Sequence, residues 1–245
     1  MQKCELAVVI LAAGMGKRMK SDMPKVLHKL SGRPLVRWVV EAAKELKPAR
    51  IIVITGHGGQ KVMESLKNEV VAFAEQKEQL GTAHAVLQAS KQLDGFDGGV
   101  MVLSGDVPMI KPRTLERLAN SPLDKECVAA FLTTDLENPS GYGRVTRGKN
   151  GDVTAIIEER DATPDQKEIH EINGGVYFFD KKFLFETLPQ VAANNAQKEY
   201  YLTDIVKIAL NNGQKVLALK LDDPGEISGI NSREELERLE TMIGA

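Results

Sequence analysis

The sequence is short of cysteine, of net charge and of long apolar runs, and each shortage narrows what it can be. Two cysteines in 245 residues, Cys4 and Cys127, stand far apart and fit no CxxC spacing, so no cysteine-built metal site is written here. They read as buried free thiols of a cytosolic protein. Thirty-two basic residues against 34 acidic give a net charge of −2. That balance argues against a general nucleic-acid binder, which would be basic. No apolar run reaches the ~18 residues of a membrane span. The segment Leu6–Ala13 ends in glycines and lacks a signal peptide's cleavage site, so the expectation is a cytoplasmic protein with no membrane partner. There is no internal repeat and no low-complexity tract. A hydrophobic fraction of 42% and a charged fraction of 27% exclude a disordered chain, a collagen and a coiled coil.

What is present is alternation. Leu6–Leu11, Ile51–Ile54, Val70–Ala74 and Val100–Leu103 are short continuous apolar runs, read as strands buried on both faces. Between them lie helical patterns over 34–46, 60–67 and 82–92. Such alternation predicts an α/β fold: a Rossmann-like, mostly parallel mixed sheet flanked by helices. After Val128–Thr133 the pattern changes. Two strand-like runs, Gly143–Arg147 and Val153–Ile157, flank Lys149-Asn150-Gly151-Asp152, a hairpin signal. A charged loop is expected over 161–168, then a strand over 172–179, helices over 183–188 and 202–210 and a late strand over 216–221. Ser232-Arg-Glu-Glu235 is a capping box opening a last helix to Met242. The expected organisation is one domain over 1–245. It comprises a nucleotide-binding lobe over 1–134, a smaller lobe over 135–197, and a return to the core over 198–245.

The first strand runs into Leu11-Ala-Ala-Gly14-Met-Gly16-Lys17-Arg18-Met-Lys20. A loop at the carboxyl end of such a strand is where open α/β sheets bind ligands. From Gly14 to Arg33 six basic residues (Lys17, Arg18, Lys20, Lys25, Lys29 and Arg33) face one acid, Asp22. That is the footprint of a phosphate-rich ligand. Met19 stands where a dinucleotide fingerprint needs its third glycine, and Lys17 has no Ser or Thr beside it as a Walker loop requires. No Ser-His-Asp arrangement is evident, and the four histidines follow no ligand spacing.

The phosphate loop followed by Pro24-Lys25 resembles the signature of the sugar-1-phosphate nucleotidyltransferases. Further segments follow in order over nearly the whole chain: Gln76–Ala85, Gly105-Asp106-Val-Pro108, Pro139–Arg144, Glu171–Gly175, Asn194–Asp204 and Gly229-Ile-Asn231. Together they are similar to the pyrophosphorylase domains that make UDP-N-acetylglucosamine for cell-envelope precursors. The resemblance implies the nucleotide-diphospho-sugar transferase fold, with a β-rich sugar-binding lobe. It implies reaction of UTP with N-acetylglucosamine 1-phosphate, giving UDP-N-acetylglucosamine and pyrophosphate, with Mg²⁺. It puts Arg18 on the leaving pyrophosphate and Lys25 on phosphates near the reacting centre, as catalytic residues. It makes Asp106 and Asn231 the metal pair, with Asn231 also at the substrate. Uracil contacts are implied for Gln76, Gly81 and Thr82, with the backbone of Ala13 and Gly14, and further substrate contacts for Leu11 and Ser104. Sugar contacts are implied for Gly143, Glu158 and Asn173. A homo-oligomer is implied too, a trimer where an acetyltransferase domain follows.

A phosphate monoester with a second pKa of about 6 is already an anionic nucleophile at neutral pH, so no general base is needed. Three positions depart from the family pattern: Lys17 where Thr is common, Ser104 where an aromatic residue is common, and Arg160 where Lys is frequent. Thr82 also reads as a helix N-cap. The alternatives are transfer to another sugar 1-phosphate, and a non-catalytic nucleotide-binding regulator. The second should have lost Arg18, Lys25 or Asp106, and all three are present.

Overall fold

The computed structural model describes residues 5–14, 16, 19 and 21–244. In chain order the elements are β1 (Leu6–Ala12), β2 (Lys29–Leu30), β3 (Arg33–Pro34), α1 (Leu35–Glu45), β4 (Arg50–Thr55), α2 (Gly59–Ser65), β5 (Ala72–Glu75), α3 (Thr82–Leu87) and β6 (Gly99–Ser104). There follow α4 (Pro112–Ala119), β7 (Cys127–Asp135), β8 (Arg144–Arg147), β9 (Val153–Ile157), α5 (Pro164–Lys167), β10 (Glu171–Asp180), α6 (Lys181–Thr187), α7 (Asp204–Asn211), β11 (Lys215–Lys220) and α8 (Arg233–Gly244).

The main sheet runs β11-β7-β10-β6-β1-β4-β5, with β8 on β10 and β9 on β8. Strands β6, β1, β4 and β5 are parallel, so their carboxyl ends form one edge. β10 runs antiparallel to both β6 and β7. It therefore begins at that same edge, which brings Asn173 to the ends of the parallel strands.

The apolar runs are continuous because both faces are covered. Along β1, Ala7 and Val9 face one core and Val8, Ile10 and Ala12 the other. β4 and β6 alternate likewise, with Ile52, Ile54, Val100 and Val102 on the first side and Ile51, Val53, Met101 and Leu103 on the second. The first core is roofed by α3, α6 and α7, and the second by α1, α2 and α4. A third, small cluster of Leu30, Leu35 and Ile230 docks α8 through Leu236 and Leu239.

Most expected elements occur within a few residues of where the patterns put them. The hairpin turns where Asn150-Gly151 predicts, and Glu235 and Ser232 form the reciprocal cap of α8. Three differences have physical causes. α3 ends at Leu87 because the backbone bonds tighten from i−4 to i−3 over Gln88, Ala89 and Ser90. The expected loop over 161–168 contains α5, started by a capping box between Thr163 and Gln166. α4, where no helix is expected from the sequence, is two short turns that start on Pro112 and bury one narrow face of Thr114, Leu115 and Leu118. Cys127 is buried and free, while Cys4 lies outside the described residues. No described helix is long and apolar enough to cross a membrane.

Candidate active site

The carboxyl edge of the parallel strands gathers three groups of side chains. The first surrounds Lys25. The chain segment Pro24-Lys25 lies in a slot that only small residues permit: a Cβ on Gly16, whose φ is +62°, would fall 2.6 Å from Lys25 Cβ, and one on Gly58 would fall 2.7 Å from Pro24 Cγ. The slot aims Lys25 Nζ at the tip of β6. There it forms an ion pair with Asp106 Oδ2 and donates to Asn231 Oδ1 at 2.5 Å. Asp106 and Asn231 are brought together by backbone as well: the Ile230 N–H donates to the Asp106 carbonyl at 2.9 Å. Leu11 lies behind this group, its carbonyl accepting from the Gly105 N–H at 2.9 Å.

The segment carrying Asn231 is held from below by a carboxylate. Glu226 is 5% exposed. It accepts from Thr114 Oγ1 at 2.5 Å and pairs with Lys111 Nζ at 3.0 Å, both from the start of α4. Asp223 takes the same ammonium at 2.9 Å, and the Lys111 side chain is held protonated above its ordinary value by these hydrogen bonds.

The second group lies past β5. Gln76 is buried, with its backbone N–H on the Thr55 carbonyl at 2.7 Å and its Nε2 on the Gly81 carbonyl at 3.0 Å. Gly81 must be glycine, since its φ is +116° and a Cβ would meet Tyr200 O at 2.5 Å. Ala13 approaches the same loop through Gly56, where a Cβ would be 2.9 Å from Ala13 O and 2.8 Å from Gln79 Nε2. Gly14 is exposed at the end of β1. Thr82 is the first residue of α3 and not its N-cap. Its hydroxyl instead accepts from the Leu202 N–H at 2.9 Å, because Gly81 occupies the cap position.

The third group is Gly143, Glu158 and Asn173. A Cβ on Gly143 would be 3.6 Å from both Asn173 Cβ and Glu158 Oε2, so the three line one hollow. The Asn173 N–H bonds the Gly143 carbonyl at 2.8 Å, and its Nδ2 donates to the buried Tyr177 hydroxyl at 2.6 Å. Burial pushes the Tyr177 hydroxyl well above its ordinary value, so it stays a neutral partner. Burial raises Glu158 above the ordinary carboxylate range; the Thr203 hydroxyl, donating at 3.0 Å, opposes this. Asp161, Asp204 and Glu199 push the same way as burial. Arg144 is buried beneath, paired with Glu159 at 2.7 Å and bonded to the Tyr142 carbonyl, which ties down the loop carrying Gly143.

The groups are physically linked. Residues 200–203 form a strap: Tyr200 exchanges backbone bonds with Leu80 and Ala83, Leu202 reaches Thr82, and Thr203 reaches Glu158. Ser104 closes the gap between the first and third groups, its Oγ 3.4 Å from where a Gly175 Cβ would stand. Every expected site residue among those described thus lies along this edge. Arg18 and Lys17 lie outside the described residues. Arg33 is elsewhere engaged, paired with Glu41 and stacked 4.9 Å over Trp38, and Lys29 is solvated. Thr203 and Glu226 were not legible as site-holding residues, because nothing in the local sequence distinguishes them from a helix start and a loop acid.

The edge thus carries an oxygen-lined notch around Lys25, a polar slot beside Gln76 and Gly81, and a hollow lined by Gly143, Glu158 and Asn173. The chain belongs to the nucleotidyl transferase family, whose model matches residues 7–227. It is 47% identical over 233 residues to the bifunctional protein GlmU of Geobacter metallireducens, covering 95% of this chain and 49% of the relative. The GlmU proteins of Rippkaea orientalis and Thermus thermophilus are each 48% identical, over 94% and 97% of this chain and 50% and 51% of theirs. The chain therefore spans about half the length of the curated relatives it matches.

Proposed function

We propose that the chain transfers UMP from UTP to N-acetylglucosamine 1-phosphate, releasing pyrophosphate and giving UDP-N-acetylglucosamine for cell-envelope synthesis. The observation that carries this reading is the position of the Lys25 ammonium, held between Asp106 and Asn231. A cation already sits between two hard oxygens at the carboxyl edge, so the donor set fits a Mg²⁺ ion, which takes one or two protein oxygens and completes its shell with phosphates and water. Bound there, Mg²⁺ would neutralise and orient triphosphate oxygens.

The chain's own residues do the rest. Lys25, released from the carboxylate, turns to the phosphates as a point charge. Arg18 takes the leaving pyrophosphate, where a bidentate guanidinium suits it. Gln76 and Gly81 offer the base an amide oxygen and a backbone N–H, which matches the N3–H and O4 of uracil, with Ala13, Gly14, Leu11, Thr82 and Ser104 around them. Gly143, Glu158 and Asn173, within the 135–197 lobe, take sugar hydroxyl and acetamido groups. A phosphate oxygen of the sugar phosphate bonds the nucleotide's α-phosphorus as the bond to the bridging oxygen of pyrophosphate breaks. No proton need move, so catalysis is alignment and charge neutralisation. The expected assembly is a homo-oligomer, a trimer where an acetyltransferase domain follows, and the cytoplasm is the expected site of action.

The test is pyrophosphate release from UTP with N-acetylglucosamine 1-phosphate or glucose 1-phosphate, with and without Mg²⁺. The reading expects Mg²⁺-dependent release favouring the acetylated sugar. Equal rates with glucose 1-phosphate would reject the sugar assignment.

A further inference from the structure

We propose that Glu159 is a positioning residue of the sugar site: it fixes the loop over 139–143, and with it the affinity for the sugar phosphate. The inference rests on the sugar reading above. One carboxylate oxygen, Glu159 Oε2, holds two partners. It accepts from the Gly141 N–H at 3.2 Å and pairs with Arg144 Nη1 at 2.7 Å. Those two residues flank Tyr142 and Gly143, so the loop is gripped on both sides of the glycine that lines the hollow. Arg144 is 1% exposed. Its guanidinium also donates to the Tyr142 carbonyl and, at 3.3 Å, to the Lys167 carbonyl at the end of α5. Among the described residues Glu159 is the carboxylate paired with it. A buried cation left with carbonyls alone is strongly unfavourable, so the pair resists opening.

The neighbouring carboxylate serves the opposite wall. Glu158 Oε1 accepts from the Thr203 hydroxyl, and its Oε2 lies 3.6 Å from where a Gly143 Cβ would stand. The turn after β9 therefore carries two successive carboxylates, one lining the hollow and one holding the loop that faces it. The Asp161 N–H closes that turn on the Glu158 carbonyl at 3.0 Å. The Gly143 carbonyl is taken by the Asn173 N–H at 2.8 Å, while among the described residues nothing accepts from the Gly143 N–H. That N–H is the donor left for a ligand, and it moves with the loop. Glycine on either side of Tyr142, with Gly141 at a φ of +87°, makes the backbone there intrinsically soft. Glu159 supplies the rigidity that the backbone lacks. Neither Glu159 nor Arg144 is bonded to Gln76, Gly81 or Thr82, so the grip acts on the sugar side alone.

The test is steady-state kinetics of Glu159→Ala and Glu159→Gln, each substrate varied with the other saturating. Glu159→Ala releases the loop. KM for N-acetylglucosamine 1-phosphate should then rise on the order of tenfold, the effect of about one charge-assisted hydrogen bond, with kcat and the KM for UTP little changed. Glu159→Gln keeps an oxygen for the Gly141 N–H and should recover much of the loss. Equal losses for UTP and the sugar phosphate, or a sugar-phosphate KM that does not move, overturn the inference. If Glu159→Ala does not fold, Glu159→Gln carries the test alone: a smaller rise, still confined to the sugar phosphate, is the expected result, and no rise overturns the inference. Wild-type protein that favours glucose 1-phosphate overturns the sugar assignment instead, and the same split between sugar phosphate and UTP is then read with that substrate.

Discussion

Among single residues Lys25 joins the site, its ammonium lying between Asp106 and Asn231. In the proposed reaction that is the place of the divalent ion, and Lys25 is the residue whose role changes on binding. Asp106→Ala removes the negative charge from that place. Its expected effect is a loss on the order of 10²-fold or more in turnover, as for deletion of one preorganised charge stabiliser, checked by titrating activity with Mg²⁺. Full activation at ordinary Mg²⁺ would reject the metal assignment. Glu158 gives a pH prediction of the opposite kind. Its folded-state value is raised above the ordinary carboxylate range, so the stability it contributes is complete below its unfolded value and is lost as pH rises through the folded one. At neutral pH it therefore burdens the fold, and Glu158→Gln should raise the melting temperature there while weakening sugar-phosphate binding. Thermal unfolding from pH 4 to pH 8 checks the sign; a variant less stable than wild type at neutral pH would contradict it. The placing of Lys25 and Asp106 at the sheet's carboxyl edge was legible in the sequence, because Pro24-Lys25 and Gly105-Asp106 follow a glycine loop and a buried strand, and the resemblance joined Asp106 to Asn231. What could not be read was that Lys25 itself, 206 residues from Asn231, contacts both. Sequence spacing carries no such information.

Elements, not single side chains, decide whether those residues meet. Asn231 reaches Asp106 because the segment before it is pinned to α4 by Glu226, Lys111 and Thr114. α4 places Leu115 and Leu118 at helical spacing among charged residues, but it is short and no helix is expected there from the sequence; the latch built on it could not be read from local pattern. Glu226→Ala leaves a buried hydroxyl without its acceptor and Lys111 with Asp223 alone. Its expected cost is roughly 1–3 kcal/mol of stability, read by urea unfolding, together with a weaker apparent Mg²⁺ affinity. Unchanged Mg²⁺ dependence would mean that Asn231 is positioned without the latch. Gly81 makes the matching case on the nucleotide side. Gly81→Ala forces a Cβ against Tyr200 at a φ of +116°. The strap over 200–203 must shift, so both UTP and sugar-phosphate affinity should fall, since the strap touches both Thr82 and Glu158. Loss of UTP affinity alone, measured by calorimetry, would show that the strap does not couple the two.

At the scale of the whole molecule, the two-sided sheet makes the site possible. Three strands buried on both faces, β6, β1 and β4, with β5 at the exposed edge, set four carboxyl ends side by side, and one antiparallel strand, β10, starts where they finish. The alternation of apolar runs with helical patterns announced the parallel half. The direction of β10 was not announced, because a strand buried on both faces reads the same in either direction. In the proposed reaction the three groups along this edge hold two polyanions, so nucleotide and sugar phosphate together should stabilise the fold. At about 100 times its dissociation constant a ligand adds roughly 2.7 kcal/mol, visible as a raised melting temperature. The most direct test of the central claim is anomalous diffraction from crystals grown with UTP and Mn²⁺ in place of Mg²⁺. The account predicts the metal peak on the oxygens of Asp106 and Asn231, with Lys25 swung away onto the phosphates. A metal bound elsewhere, with Lys25 still paired to Asp106, would contradict it.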